Sequence, residues 1–126
     1  MIGGNAAAMN LLNTPLLQQL QGYLDVASTR QSLIAANMAN IDTPGYQTRD
    51  LNFSQALAAA EAGQDPAAAE HTVSGLLARP DGNNVNLDRE SFLMAQTQLQ
   101  FSTGVALLRD EFSRLNMAIN GGSSIP

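Results

Sequence analysis

The chain has 126 residues, room for one domain and one core; 44% are hydrophobic, but only 5% are aromatic and 13% charged. That charged share is about half the usual value for a soluble domain, so much of the surface is expected to be covered by other chains. Six Arg, no Lys and eleven acids give a net charge of −5, and no Cys is present; arginines spread singly from Arg30 to Arg114 exclude nucleic acid and anionic membrane as partners, and the missing thiols exclude disulfides and thiolate metal sites.

Residues 1–13 carry Gly3, Gly4 and small residues without a period and are expected to form a flexible leader. They show no basic region followed by an apolar run, so no cleavable signal peptide is read. Nor does any stretch approach the roughly 20 apolar residues that span a bilayer. By the usual routes such a chain stays in the cytoplasm.

Thr14-Pro15 then offers an N-cap followed by proline at the first helical position, where its missing N–H costs nothing. The spacing predicts a helix over 14–41. Leu17, Leu20, Leu24, Ala27, Gln31, Ile34, Met38 and Ile41 alternate steps of three and four, a heptad seam with one polar member. Gly22 inside it costs about 1 kcal/mol against Ala, so the helix needs a partner.

Residues 42–86 read as a turn and loop region. Asn37 and Asn40 mark the fading end of the helix, and Pro44 closes it. Pro44 fixes φ for the second position of a β-turn, and Gly45 supplies the positive φ that a type II turn wants next; Gly63 is not expected to need it. Asn40 and Asp42 can bond the nearby backbone and settle the helix exit, and Tyr46 can fold back over the helix end. Residues 54–60 suit a short helix. Residues 61–80 are rich in Ala, Gly, Glu and Pro and read as a loop or disordered link, with one short strand or turn at 73–77. Asp81-Gly82-Asn83-Asn84 is a second turn-rich stretch.

A long helix is expected over 87–120, with Asp88 as cap and Leu87 and Phe92 as a hydrophobic staple. Its seam runs Ser91, Met94, Gln98, Phe101, Val105, Leu108, Phe112, Leu115 and Ile119. Asn120-Gly121-Gly122 ends it, leaving a tail over 121–126.

The expected fold is therefore one mainly α domain over 1–126. Long N- and C-terminal amphipathic helices pair as a coiled-coil-like hairpin, with an irregular, partly flexible middle. Whether the two seams bury each other within one chain or pack between chains stays open. Both hold if a hairpin stacks into a larger assembly.

Residues for chemistry are scarce. Asp81-Gly82-Asn83 begins like a calcium loop, but Val85 stands at the fifth position, Asn86 where glycine belongs and Phe92 where a bidentate Glu is required. His71 is the only histidine and lies in the weak middle segment. Asp110-Glu111 and Asp88-Arg89-Glu90 place carboxylates that point apart on a helix, and Asp88 and Glu90 suit a helix N-terminus instead. An enzyme acting on peptidoglycan needs a pair of carboxylates in a cleft, and no cleft-forming segment is seen. No catalytic, cofactor-binding or metal-ligating residue is expected, and no small-molecule substrate.

Two blocks carry a specific resemblance. Asn37-Met38-Ala39-Asn40-Ile41-Asp42-Thr43-Pro44-Gly45-Tyr46, with Ala35-Ala36 before it and Gln47-Thr48-Arg49-Asp50 after it, resembles the N-x-A-N-x-x-T-P-G-Y signature of bacterial flagellar axial proteins of the rod and hook class. Asp81-Gly82-Asn83-Asn84-Val85-Asn86-Leu87-Asp88-Arg89-Glu90 is similar to a stretch of the proximal rod members of that family, which usually have Asp where this chain has Asn86. The similar regions cover about residues 16–60 and 79–119.

The resemblance implies a non-enzymatic structural subunit of the basal-body rod, built on paired terminal helices. Its implied partners are other copies of itself, other rod proteins, a base-of-rod adaptor, the membrane ring and the type III export gate. It also implies export from the cytoplasm without a cleaved signal. Phe53-Ser54-Gln55-Ala56-Leu57 resembles the export-gate pattern of related substrates, as does Phe101 to Val105; helix spacing alone explains both. A small cytoplasmic helical adaptor or chaperone would explain the seams but not the Asn37–Tyr46 block.

Overall fold

The computed structural model describes residues 14–121. The leader expected over 1–13 and the tail residues 122–126 lie outside the described residues. The architecture is mainly helical, with long N- and C-terminal helices around a short-stranded middle.

Helix α1 is Pro15–Ala39. The Thr14 hydroxyl accepts from the Leu17 N–H at 3.3 Å, and Pro15 is the first helical residue. The helix ends two residues before the expected Ile41. There the Asn40 amide takes the Ala36 carbonyl at 2.8 Å, Asn83 donates to the Asn40 carbonyl at 2.9 Å, and Arg79 donates to the Ile41 carbonyl. A longer helix would need the Asn40 and Ile41 carbonyls as acceptors, but Asn83 and Arg79 take them, and Pro44 has no N–H to offer Asn40.

The middle is more ordered than the composition of residues 42–86 suggests. It holds strand β1 (Arg49–Leu51), helix α2 (Phe53–Glu61), a 3₁₀ turn (Pro66–Ala69) and strand β2 (Glu70–Thr72). Asn52 caps α2 through the Gln55 N–H, and Asp65 caps the 3₁₀ turn through the Ala67 N–H, with Pro66 following. The strands pair antiparallel, Asp50 opposite His71. The strand therefore lies at 70–72 rather than 73–77, and residues 61–80 are not simply a link; His71 is exposed on it. Gly63 has φ +77°, as positive as Gly45 at +75°, so the expected contrast between them fails: Gly63 ends α2 in the left-handed region.

Helix α3 is Leu87–Asn120, 34 residues, about 51 Å at 1.5 Å per residue. Its cap is Asn86, whose side chain accepts from the Arg89 N–H at 3.0 Å, so Asp88 is an early helical residue and not the cap. This places Leu87 and Phe92 outward, 53% and 67% exposed, and the expected staple does not form. An Asp at position 86 would cap equally well, which makes the departure there neutral.

The core lies where α1 meets α2 and the ribbon. Val26, Leu51 and Ala56 are buried and closed over by Leu33, Phe53, Leu57, Ala60 and Ala69. Tyr23 meets Phe53 edge-on with centroids 5.4 Å apart, a favoured aromatic geometry. Gly22 faces Ala60 and Leu57.

On its other side α1 packs antiparallel against α3. The expected α1 stripe faces inward: Leu17, Ala27 and Ile34 are buried, and Leu20, Leu24, Gln31, Met38 and Ile41 half-buried. On α3 the inward stripe is different. It runs Glu90, Leu93, Thr97, Gln100, Gly104, Leu108, Glu111 and Leu115, again in steps of three and four. It is one residue out of phase with the expected Ser91, Met94, Gln98, Phe101 and Val105, and rejoins that stripe at Leu108 and Leu115.

Met94, Val105 and Leu108 are half-buried, whereas Phe101, Phe112 and Ile119 are left 37%, 43% and 48% exposed. The cause is Gly104. A Cβ there would fall 2.7 Å from Leu24 Cδ2 and 3.1 Å from Tyr23 Cδ1. The Leu24 and Tyr23 side chains seat against α3 at its one glycine, and this contact, with a buried bond at Glu90, fits the observed rotation of α3. The larger side chains are turned aside.

Candidate functional site

The two blocks that carry the resemblance, 36 to 53 residues apart in their contacts, meet in space. In the first, the Tyr46 N–H donates to the Thr43 carbonyl at 3.2 Å, closing a turn with Pro44 and Gly45 at its centre. In the second, the Gly82 N–H donates to the Arg79 carbonyl at 2.8 Å. The turns lie against each other: the Gly45 N–H donates to the Asp81 carbonyl at 2.8 Å, and a Cβ on Gly82, at φ +86°, would lie 3.4 Å from Gly45 Cα.

Two asparagines lock this contact. Asn83 is fully buried; its amide donates to the carbonyls of Asn40 and Thr43 at 2.9 and 2.8 Å, and its oxygen accepts from the Val85 N–H. Asn84 accepts from the Thr48 N–H at 2.6 Å and donates to Gln47 Oε1 at 3.0 Å. Asp81 accepts from the Asn83 N–H, and Thr43 donates to Asn40 Oδ1. Val85 is buried beneath, while Asp42, Thr43, Pro44 and Gly45 stay exposed. Asp88 is exposed in the first turn of α3.

Asn37 is the hub. Its amide donates to the Arg49 carbonyl at 2.8 Å and to Glu90 Oε2 at 3.1 Å; its oxygen accepts from the Tyr46 hydroxyl at 2.9 Å and the Arg49 N–H at 3.1 Å. Every donor and acceptor of that amide is used. Glu90, also fully buried, takes a second bond from Arg89 Nη1 at 2.7 Å. Arg89 reaches on to Asp50 at 3.1 Å, and Arg30 grips the same carboxylate with two bonds of 3.0 Å. Two acids and two bases thus form a neutral, hydrogen-bonded set joining α1, β1 and α3.

Burial pushes the Asp50 carboxyl upward, but the bonds from Arg30 and the Leu51 N–H and the charges of Arg30 and Arg89 outweigh it and hold the group below the usual carboxylate value. Burial raises the Tyr46 phenol. The acids and the Tyr46 hydroxyl alike are engaged by neighbours, and the set clasps three elements.

Among the described residues no three His, Cys, Asp or Glu are grouped to hold a metal ion, and no helix is long and apolar enough to cross a membrane. An open apolar groove of about 490 Å³ is lined by Leu16, Leu20, Tyr23, Leu57 and Leu107, with Glu61 as its one carboxylate.

Sequence reasoning placed Asn37, Asn40, Tyr46 and Asn83 near chain turns but missed Arg30, Thr48, Asp50 and the burial of Glu90. One signal was available: α1 carries a single basic residue, Arg30, beside the seam of a helix otherwise poor in charge.

A family model described as "Flagella basal body rod protein" matches residues 17–47, which span most of α1 and the turn. The chain is similar to flagellar basal body rod protein FlgB of Salmonella typhimurium, 31% identical over 126 aligned positions that cover 82% of this chain and 91% of that one. It is 29% identical to FlgB of Escherichia coli over the same shares, and 26% identical to FlgB of Bacillus subtilis over 84% and 94%.

Proposed function

From the premise that this chain belongs to the FlgB family of flagellar basal-body rod proteins, and is a structural subunit of that rod, we propose how the hairpin serves it. Membership implies a structural and not an enzymatic role, and assembly with other rod proteins. The clasp makes α1, the ribbon and α3 one rigid unit. The apolar stripe that Gly104 turns aside, with Phe101, Phe112 and Ile119, is then free to pack against neighbouring subunits.

That exposed stripe carries the reading. A subunit whose terminal helices are tied at one end and packed against neighbours along their length transmits torque as a stiff element. Its neighbours at the base of the rod are other copies and other rod subunits, with the adaptor, the membrane ring and the type III export gate close by. The chain reaches the periplasm through that gate without a cleaved signal.

Deleting the gene is expected to abolish motility and stop assembly outside the membrane ring, with recovery on complementation. A deletion strain that still swims on complete flagella would remove the idea. Export is tested separately, by finding the chain outside the inner membrane with its first residues intact.

A further inference from the structure

Helix α3 carries more apolar surface than α1 covers. Besides the turned-aside stripe, Phe92, Leu99 and Met117 are 67%, 69% and 61% exposed, and their spacing returns them to one side of a 3.6-residue helix, away from the inward stripe. No ionisable residue occurs between Ser91 and Leu108, although a helix face open to water normally carries charge.

The first ionisable residue after that stretch is Arg109, which is exposed. Of the six arginines it alone makes no ion pair among the described residues; Arg30, Arg49, Arg79, Arg89 and Arg114 each hold a carboxylate. Helix α1 has one acid, Asp25. It too is exposed and without an ion pair among the described residues, close in sequence to exposed Ser28, Ser32 and Ala36.

We propose that Arg109 of one copy pairs with Asp25 of the next, seating the outer face of α3 against the outer face of the neighbour's α1. This rests on the rod-subunit reading. Within a chain the two helices are antiparallel, because Asn37 meets Glu90 and Leu24 meets Gly104. Copies that share one polarity therefore also lay α3 antiparallel to a neighbouring α1.

In that arrangement Leu99, ten residues before Arg109, comes level along the axis with Ala35, ten residues after Asp25. A bulky side chain stands level with a small one at one end, and opposite charges meet at the other. Within its own chain Arg109 lies level with about residue 18, so the neighbour is displaced along the axis by about seven residues, or roughly 10 Å. A contact between two different surfaces with an axial step does not close on itself and extends as a helix.

The cysteine-free chain allows a direct test. Asp25→Cys and Arg109→Cys are produced together, with different tags, in cells lacking the native gene, and isolated basal bodies are treated with a short bismaleimide. The expected product is a mixed dimer with one copy of each variant, in several-fold excess over either same-site dimer. Arg109→Asp is expected to lose motility and Asp25→Arg to restore it in the same chain, with the purified subunit's melting temperature unchanged by either.

Variants recovered in basal bodies that give no product, or only same-site dimers, overturn this interface and leave the rod reading intact. Normal swimming of Arg109→Asp overturns it as well. Absence of the wild-type chain from basal bodies overturns both.

Discussion

The buried Glu90 carboxylate lies 3.1 Å from the Asn37 amide nitrogen, tying the first turn of α3 to the last turns of α1. Replacing Asn37 by Ala would strip partners from Glu90, the Tyr46 hydroxyl and the Arg49 backbone at once. A lost bond to a buried charged group costs about 1–3 kcal/mol; Glu90 keeps its bond from Arg89 and the other partners are part-buried, so Asn37→Ala is expected to lose about 2–3 kcal/mol. Tyr46→Phe, which removes one of these bonds, should lose about 1 kcal/mol. Urea denaturation of the purified chain measures both.

Stability should also depend on pH through Asp50 and Tyr46, with opposite signs. Because the folded carboxyl of Asp50 is held below its ordinary value, its contribution is complete above about pH 4 and is lost as pH falls through the folded value. Asp50→Asn should therefore be less stable at neutral pH and show a flatter acid limb. The Tyr46 phenol is raised, so its contribution is complete below about pH 10 and is lost as pH rises through the folded value; Tyr46→Phe should flatten the alkaline limb. Thermal melts between pH 2 and pH 11 or so would separate the two.

Two helical glycines should respond oppositely to alanine. At Gly104 a Cβ meets the tip of Leu24 at 2.7 Å and the Tyr23 ring at 3.1 Å, so Gly104→Ala forces those two side chains to shift, at a cost of about 1–3 kcal/mol. At Gly22 the nearest atoms are at 3.5 Å, an ordinary contact, and Gly22→Ala is expected to stabilise by about 0.5–1 kcal/mol. Equal melting temperatures for the two variants would contradict the geometry.

Leu115 and Phe112 separate folding from assembly. Leu115 is 7% exposed on the inner face, and its truncation to Ala should cost about 2–4 kcal/mol. Phe112 is 43% exposed, so Phe112→Ala should cost the isolated chain about 1 kcal/mol or less yet reduce incorporation into the rod. Asp110→Ala removes only an exposed pair with Arg114, worth about 0.3–0.5 kcal/mol, and should be tolerated in both assays.

Local signals were legible and distant ones were not. The Thr14 cap, the Pro44-Gly45 turn and the two helices follow from neighbours within three or four residues, and the sequence shows them. The Arg30–Asp50–Arg89–Glu90 set is closed by pairs 20 and 39 residues apart in the chain, and no local pattern announces it. The phase of α3 is hidden in the sequence for a related reason. A hydrophobic stripe is located by its largest side chains, whereas the inner face here is set by a glycine and flanked by Thr97 and Gln100. The Oγ1 and Oε1 of those two are buried without a hydrogen-bond partner among the described residues.

The span of the clasp also dictates an order of events as the chain folds. The caps at Thr14, Asn52 and Asn86 bond residues three positions on, and the β1–β2 ribbon closes over about twenty residues. Asn84 reaches Thr48 over 36 residues, Asn83 reaches Asn40 over 43, and Asn37 reaches Glu90 over 53. Loop closure costs entropy that grows with length, and non-local contacts are the slow ones. Helix α1, α2 and the ribbon can therefore condense first around Val26, while the bonds that pin the Pro44 turn to Asn83 and Asn84 form later. A chain still emerging in N-to-C order holds the end of α1 open until residue 90 has arrived, so the last third of the polypeptide completes the first.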